Sequence, residues 1–116
     1  MYRLEYSQIV RRKLNKLRDE LIQNYGENNS KRIMGNIMKG IRRLEIFSQW
    51  GTRISAHYDI ECDYSYIFVE NNYFFYRIKD KDTILILEMF NEKEDFMRKL
   101  FGIVTTSQET IDYWDE

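Results

Sequence analysis

The chain has 116 residues, 43% hydrophobic and 16% aromatic, enough for one folded domain with one core and too few for two. Its single cysteine, Cys62, excludes an intramolecular disulfide and fits a reducing compartment, so a cytoplasmic protein is expected. Proline is absent and glycine scarce, which argues against long linkers and low-complexity segments, and no apolar run approaches the length of a membrane span.

The net charge of −1 conceals a division along the chain. Residues 1–58 carry twelve Lys or Arg against five Asp or Glu, whereas residues 59–116 carry six against fourteen. Such asymmetry suggests a basic surface for an acidic partner, either nucleic acid or an acidic protein segment. The alternative is mutual neutralisation of the two halves.

In chain order, Tyr2, Leu4 and Tyr6 alternate with Arg3 and Glu5, the period of a strand with one buried face. Ser7 is placed to cap a helix. From Gln8 the period lengthens: Val10, Leu14, Leu17 and Leu21 recur at spacings of four and three, with Ile22 and Tyr25 beside them and Arg11, Arg12, Lys16, Arg18 and Asp19 opposite. Gly26 ends this helix, and residues 27–30 read as a short loop with Ser30 as the next N-cap. A second amphipathic helix is expected over about residues 31–46, with Ile33, Ile37, Ile41 and Leu44 on one stripe and Met34 and Met38 as core filler beside it. The short connection implies an antiparallel helical hairpin.

The pattern is irregular from Phe47 to Asp63. Strands then follow over residues 64–69, 73–79 and 83–90, separated by turns at Glu70-Asn71-Asn72 and Asp80-Lys81-Asp82. The last of these is apolar on both faces, as a central strand covered from both sides would be. A closing helix is expected over residues 92–101, ending at Gly102. The fold class is therefore α+β in the order β-α-α-β-β-β-α, with an N-terminal strand and helical hairpin packed on a small antiparallel sheet. Residues 1–103 form the domain and residues 104–116 an acidic tail. That tail either frays or docks as a clip, with Tyr113 and Trp114 as anchors and its carboxylates over the basic helices.

Order and wording together resemble the RelE/ParE toxin superfamily, the toxins of type II toxin–antitoxin systems. Tyr2 to Tyr6 followed by Ser7 looks like the family's opening strand and cap. Tyr64-Ser65-Tyr66-Ile67-Phe68-Val69, the turn, and Tyr73-Phe74-Phe75-Tyr76-Arg77-Ile78 look like its paired meander strands, the second ending Tyr-Arg-hydrophobic. Residues 84–95 look like its last strand running into an H-x-R-x-D corner. The resemblance covers residues 2–103. Two positions depart from it: Ser65 stands where many members carry Arg, and Asn91 where many carry His. Both changes remove groups useful for cleaving RNA, and Asn91 cannot exchange a proton at all.

The resemblance implies a growth-inhibiting protein with a cognate antitoxin as partner and either DNA gyrase or the ribosome and its mRNA as target. No cofactor, metal or membrane is implied. In a ParE-like protein the action is binding, whereas a RelE-like mRNA interferase would need Arg77, Lys79 and Lys93 at the scissile phosphate, with His57 the one side chain titrating near neutrality. A third reading is a non-toxic interaction module on the same scaffold. Tyr66, Tyr73 and Tyr76 are candidates for stacking on bases, and Arg98, Arg11, Arg12, Lys16, Arg18, Arg42 and Arg43 for holding an acidic partner. Arg77 has an alternative role, pairing with Glu88 across the sheet. Lys93 is flanked by Glu92 and Glu94, which oppose an anion. Cys62 reads as an ordinary thiol.

Overall fold

Ser7 divides the first strand from the first helix. In a computed structural model, which describes residues 1–57 and 62–101, β1 spans Arg3–Tyr6 and α1 spans Gln8–Tyr25. The Ser7 hydroxyl oxygen accepts the Val10 N–H at 3.1 Å, and the hydroxyl donates to the Leu87 carbonyl at 3.0 Å. One side chain thus caps the helix and ties its start to the sheet.

The hairpin is tighter than the sequence pattern suggests. Gly26, at φ 87° and ψ 165°, donates its N–H to the Ile22 carbonyl, and α2, Glu27–Arg42, begins with the next residue. The expected loop over residues 27–30 is corrected to helix. Ser30 is not its cap but a buried member of α2, its hydroxyl donating to the Arg18 carbonyl at 3.3 Å. Glycine's access to positive φ lets one residue end one helix and start another, while the Asn29 amide takes over the Tyr25 carbonyl at 2.9 Å. A single 3-10 turn, Arg43–Glu45, extends α2.

Five strands form a mixed sheet in the order β1-β5-β4-β3-β2. The meander β3 (Ser65–Val69), β4 (Asn72–Asp80) and β5 (Thr83–Asn91) is antiparallel as expected, and β1 adds to β5 in parallel with Leu4 opposite Ile84 and Tyr6 opposite Ile86. Glu70 and Asn71 both take positive φ in the β3–β4 turn, the geometry of a two-residue hairpin. The stretch read as irregular contributes a two-residue strand β2, Thr52–Arg53, paired with β3, and one helical turn α3, Ile54–His57. Both are too short to show a period.

Alternation along the strands builds two cores. On the helical side Val10, Ile37, Ile41 and Leu44 meet Ile67, Phe74, Tyr76, Ile84, Ile86 and Met89, with Met34 and Met38 packed against them. On the other side Phe75, Phe90, Ile54 and Phe96 form a second cluster with Tyr66, Tyr73, Leu87 and Cys62. Phe96 opens α4, Phe96–Phe101. This helix is shorter than the expected 92–101 because residues 91–95 are a side-chain-bonded turn: Asn91 Oδ1 accepts the Lys93 N–H, Glu94 accepts the Asn91 N–H, and Asp95 accepts the Arg98 N–H. Such bonds divert the backbone from helix until the cap is reached. The expected stop at Gly102 and the tail at 104–116 lie outside the described residues.

Candidate functional site

The far end of β4, β2 and the 47–51 segment enclose an open hollow of about 420 Å³ lined by Ser48, Gln49, Gly51, Arg53, Asp63, Ser65, Tyr76, Arg77 and Ile78. Tyr76 holds it together. Its ring is only 2% exposed, its hydroxyl donates to the Ser48 carbonyl at 3.0 Å, and it accepts the Gly51 N–H at 3.1 Å. A β-carbon at Gly51 would lie 2.6 Å from both the Tyr66 carbonyl oxygen and the Tyr76 hydroxyl, so only glycine lets the segment approach the sheet this closely. Burial raises the Tyr76 pKa above its ordinary value of 10, against the lowering pull of the Gly51 and Ser65 hydrogen bonds.

Arg77 and Arg53 carry the charge of this hollow. The Arg77 guanidinium lies 3.8 Å from the Asp63 carboxylate, with the two side chains 40% and 68% exposed. A contact so long and so wet holds the guanidinium weakly. Arg53 is exposed and forms no ion pair among the described residues. Two guanidiniums beside one hollow suit a phosphate or carboxylate, which each can grip through paired N–H donors.

The alternative role of Arg77, pairing with an acid, falls to Asp63 and not to Glu88. Glu88 instead accepts the Lys13 ammonium at 2.7 Å; that ammonium also donates to the Met89 carbonyl and lies 4.4 Å from the Phe90 ring centre. Lys13 is thus a strap from α1 across β5 where β1 has ended.

The other candidates are spread over the molecule. Lys79, also on β4, is paired with Glu5 at 2.9 Å. Lys93 is exposed in the turn after β5, and Arg98 is exposed on α4. Tyr76 is corrected from a base-stacking residue to a core one, since neither ring face is accessible. Tyr66 and Tyr73 are half-buried in aromatic contacts, with Tyr73 5.0 Å and Tyr66 6.1 Å from the Phe96 ring centre. Burial also raises the pKa of Tyr66, with the neighbouring Tyr73 adding to it. The His57 side chain lies outside the described residues.

Arg11, Arg12, Lys16, Arg18, Arg42 and Arg43 are all exposed on the hairpin and its 3-10 extension. Arg18 touches Asp19 at 3.4 Å, and Arg43 stacks on Trp50 with its guanidinium carbon 5.1 Å from the ring centre. Arg53 and Asp63 went unnoticed in the sequence because they belong to the stretch without a period; only proximity in the fold joins them to Arg77. Among the described residues no His, Cys, Asp and Glu cluster suits a metal ion, and no helix is long and apolar enough to cross a membrane.

No family model matches the chain, and no curated protein matches it significantly in sequence. Among solved structures it is similar to a chain of one titled "Chromosomal ParDE TA system from P. aeruginosa", with a TM-score of 0.64 and 16% identity over 78% of this chain and 96% of that one. At that identity the likeness is one of fold. The strand β1, the helical hairpin and the mixed sheet of this chain share the fold of that ParDE-system chain.

Proposed function

We propose that this chain is the toxin of a type II toxin–antitoxin pair and that, like the ParE branch, it acts by binding its target, with DNA gyrase the first candidate. The fold supports the toxin reading, and one observation favours binding over chemistry. Arg77 pairs with Leu85 in the ladder, whereas Lys93 lies beyond Asn91, whose partner Asn72 starts β4. Five residues of strand, roughly 17 Å at the usual rise, separate Arg77 from that end. Attack of a 2′-hydroxyl on a phosphate needs base, acid and cation within hydrogen-bond reach of one centre. Here Lys79 is held by Glu5, the Tyr76 hydroxyl by Ser48 and Gly51, and the Asn91 side chain by the Lys93 N–H.

Induced expression in a susceptible bacterium is expected to arrest growth, leave mRNA intact and disturb DNA topology, and the pure protein is expected to inhibit gyrase supercoiling. Normal supercoiling with the protein in molar excess rules gyrase out as the target. The RelE-like reading keeps one supporting observation, the two guanidiniums beside a single hollow. It gains if transcripts are cut at the ribosome and Arg77→Ala abolishes both cutting and toxicity. Expression without growth arrest would leave the scaffold as a non-toxic interaction module.

An antitoxin-like partner follows from the same reading. Arg11, Arg12, Lys16, Lys31, Arg32, Lys39 and Arg42 form no ion pair among the described residues, so the hairpin offers an acidic segment a row of unneutralised cations. Co-expression with the product of the adjacent gene is expected to yield a stable complex.

A further inference from the structure

The 46–51 segment presents large exposed apolar side chains around an open recess. Ile46, Phe47 and Trp50 are 65%, 59% and 53% exposed within five positions, and with Ser48 and Gln49 they line a recess of about 480 Å³. The recess shares Ser48 and Gln49 with the arginine-bearing hollow. Cations border it on both sides: Arg43 lies over Trp50, Arg53 and Arg77 flank the hollow, and Arg42 ends the adjoining helix. Large apolar side chains left open in so short a run mark a surface that something covers. The surrounding charge requires that occupant to be acidic.

We infer that the occupant is the chain's own segment Ile111-Asp112-Tyr113-Trp114-Asp115-Glu116. Residues 102–116 contain four carboxylates, Glu109, Asp112, Asp115 and Glu116, and no Lys or Arg. Ile111, Tyr113 and Trp114 supply apolar anchors alternating with those acids, matching an apolar recess with a cationic border. The reach is sufficient. The Phe96 ring at the start of α4 lies 6.1 Å from that of Tyr66, whose ladder partner Thr52 follows Trp50 and Gly51. Ten residues from Phe101 to Ile111 span up to roughly 35 Å when extended, and α4 starts beside the strand pair that leads to Trp50. Seated there, the segment shields the apolar run and places carboxylates at Arg43 and Arg53, where it competes with any acidic partner for the hollow. This inference is independent of the toxin reading, which growth arrest and target assays test separately.

The test uses the full chain with Trp50→Phe, which keeps the apolar seat and leaves Trp114 as its one tryptophan. Acrylamide quenching of Trp114 is compared with that of a synthetic peptide of residues 102–116. At low salt the quenching constant in the protein is expected to be several-fold below the peptide's. It should rise to the peptide's value when Asp112, Asp115 and Glu116 are changed to Asn, Asn and Gln. With Trp50 intact, the same triple change is expected to shift the amide resonances of residues 46–51. Trp114 as accessible as in the peptide together with unmoved amides overturns the proposal, as does protection that survives neutralisation. Protection that disappears on dilution reassigns the seat to a second copy and overturns the intramolecular form.

Discussion

Tyr76 shows how far a residue can be read from sequence. Its place in a Tyr-Arg-hydrophobic strand was legible, whereas its burial was not, since the sequence pattern offers Tyr76 as a ring for stacking on bases. Nor was its role, because the bonds that define it run to Ser48 and Gly51 in a segment without periodicity. Tyr76→Phe is expected to cost about 1–3 kcal/mol at neutral pH, the range for leaving buried polar partners unsatisfied, measured as a lower urea midpoint. The same residue predicts an alkaline limit. Burial raises the pKa of Tyr6, Tyr66 and Tyr76 above the ordinary value of 10. For an acid whose folded pKa is raised, the linked stability is complete below the unfolded value and is lost as pH rises through the folded one. Stability should therefore decline above about pH 10, and Tyr76→Phe should make that decline shallower. An unchanged slope in the variant would show that Tyr76 titrates alike in both states.

Elements with a long hydrophobic period were legible. The helix over Gln8–Tyr25, the β3–β5 meander and the doubly covered β5 all occur where their apolar spacing placed them. Boundaries set by one backbone angle or side-chain bond were not, as at Gly26 and in the turn before α4. The glycines of α2 offer a sharp contrast at this scale. A β-carbon at Gly35 would meet nothing within 4 Å, whereas one at Gly40 would lie 2.8 Å from Val69 Cγ2. Gly35→Ala should stabilise the protein by about 0.5–1 kcal/mol, the ordinary propensity gain in a helix interior. Gly40→Ala gains the same propensity but must push a β-branched side chain on β3, whose rotamer has little freedom. It is expected to be destabilising by about 1 kcal/mol. Equal thermal shifts for both would mean that α2 does not approach β3 as closely as described.

At the scale of the molecule the question is what the opposed charges of the two halves do. Their separation was plain in the sequence, but whether they neutralise each other depends on distances that sequence does not contain. Only two ion pairs among the described residues join the halves, Lys13 to Glu88 and Lys79 to Glu5. Among the described residues Lys13 alone of the hairpin cations is engaged by the acidic half, so most of the hairpin's basic charge faces outward. Exposed cations without partners contribute little to folding but strongly to association with an anionic surface. Reversing three of them, Arg11→Glu, Lys16→Glu and Arg42→Glu, should therefore leave the thermal midpoint nearly unchanged or raise it slightly as mutual repulsion is relieved. Capture of an acidic partner should fall at least tenfold, and the salt dependence of what remains should flatten. Calorimetry of the free protein, with titration of the co-expressed partner at two ionic strengths, separates the two effects. A large fall in the midpoint would instead assign these cations to the fold itself.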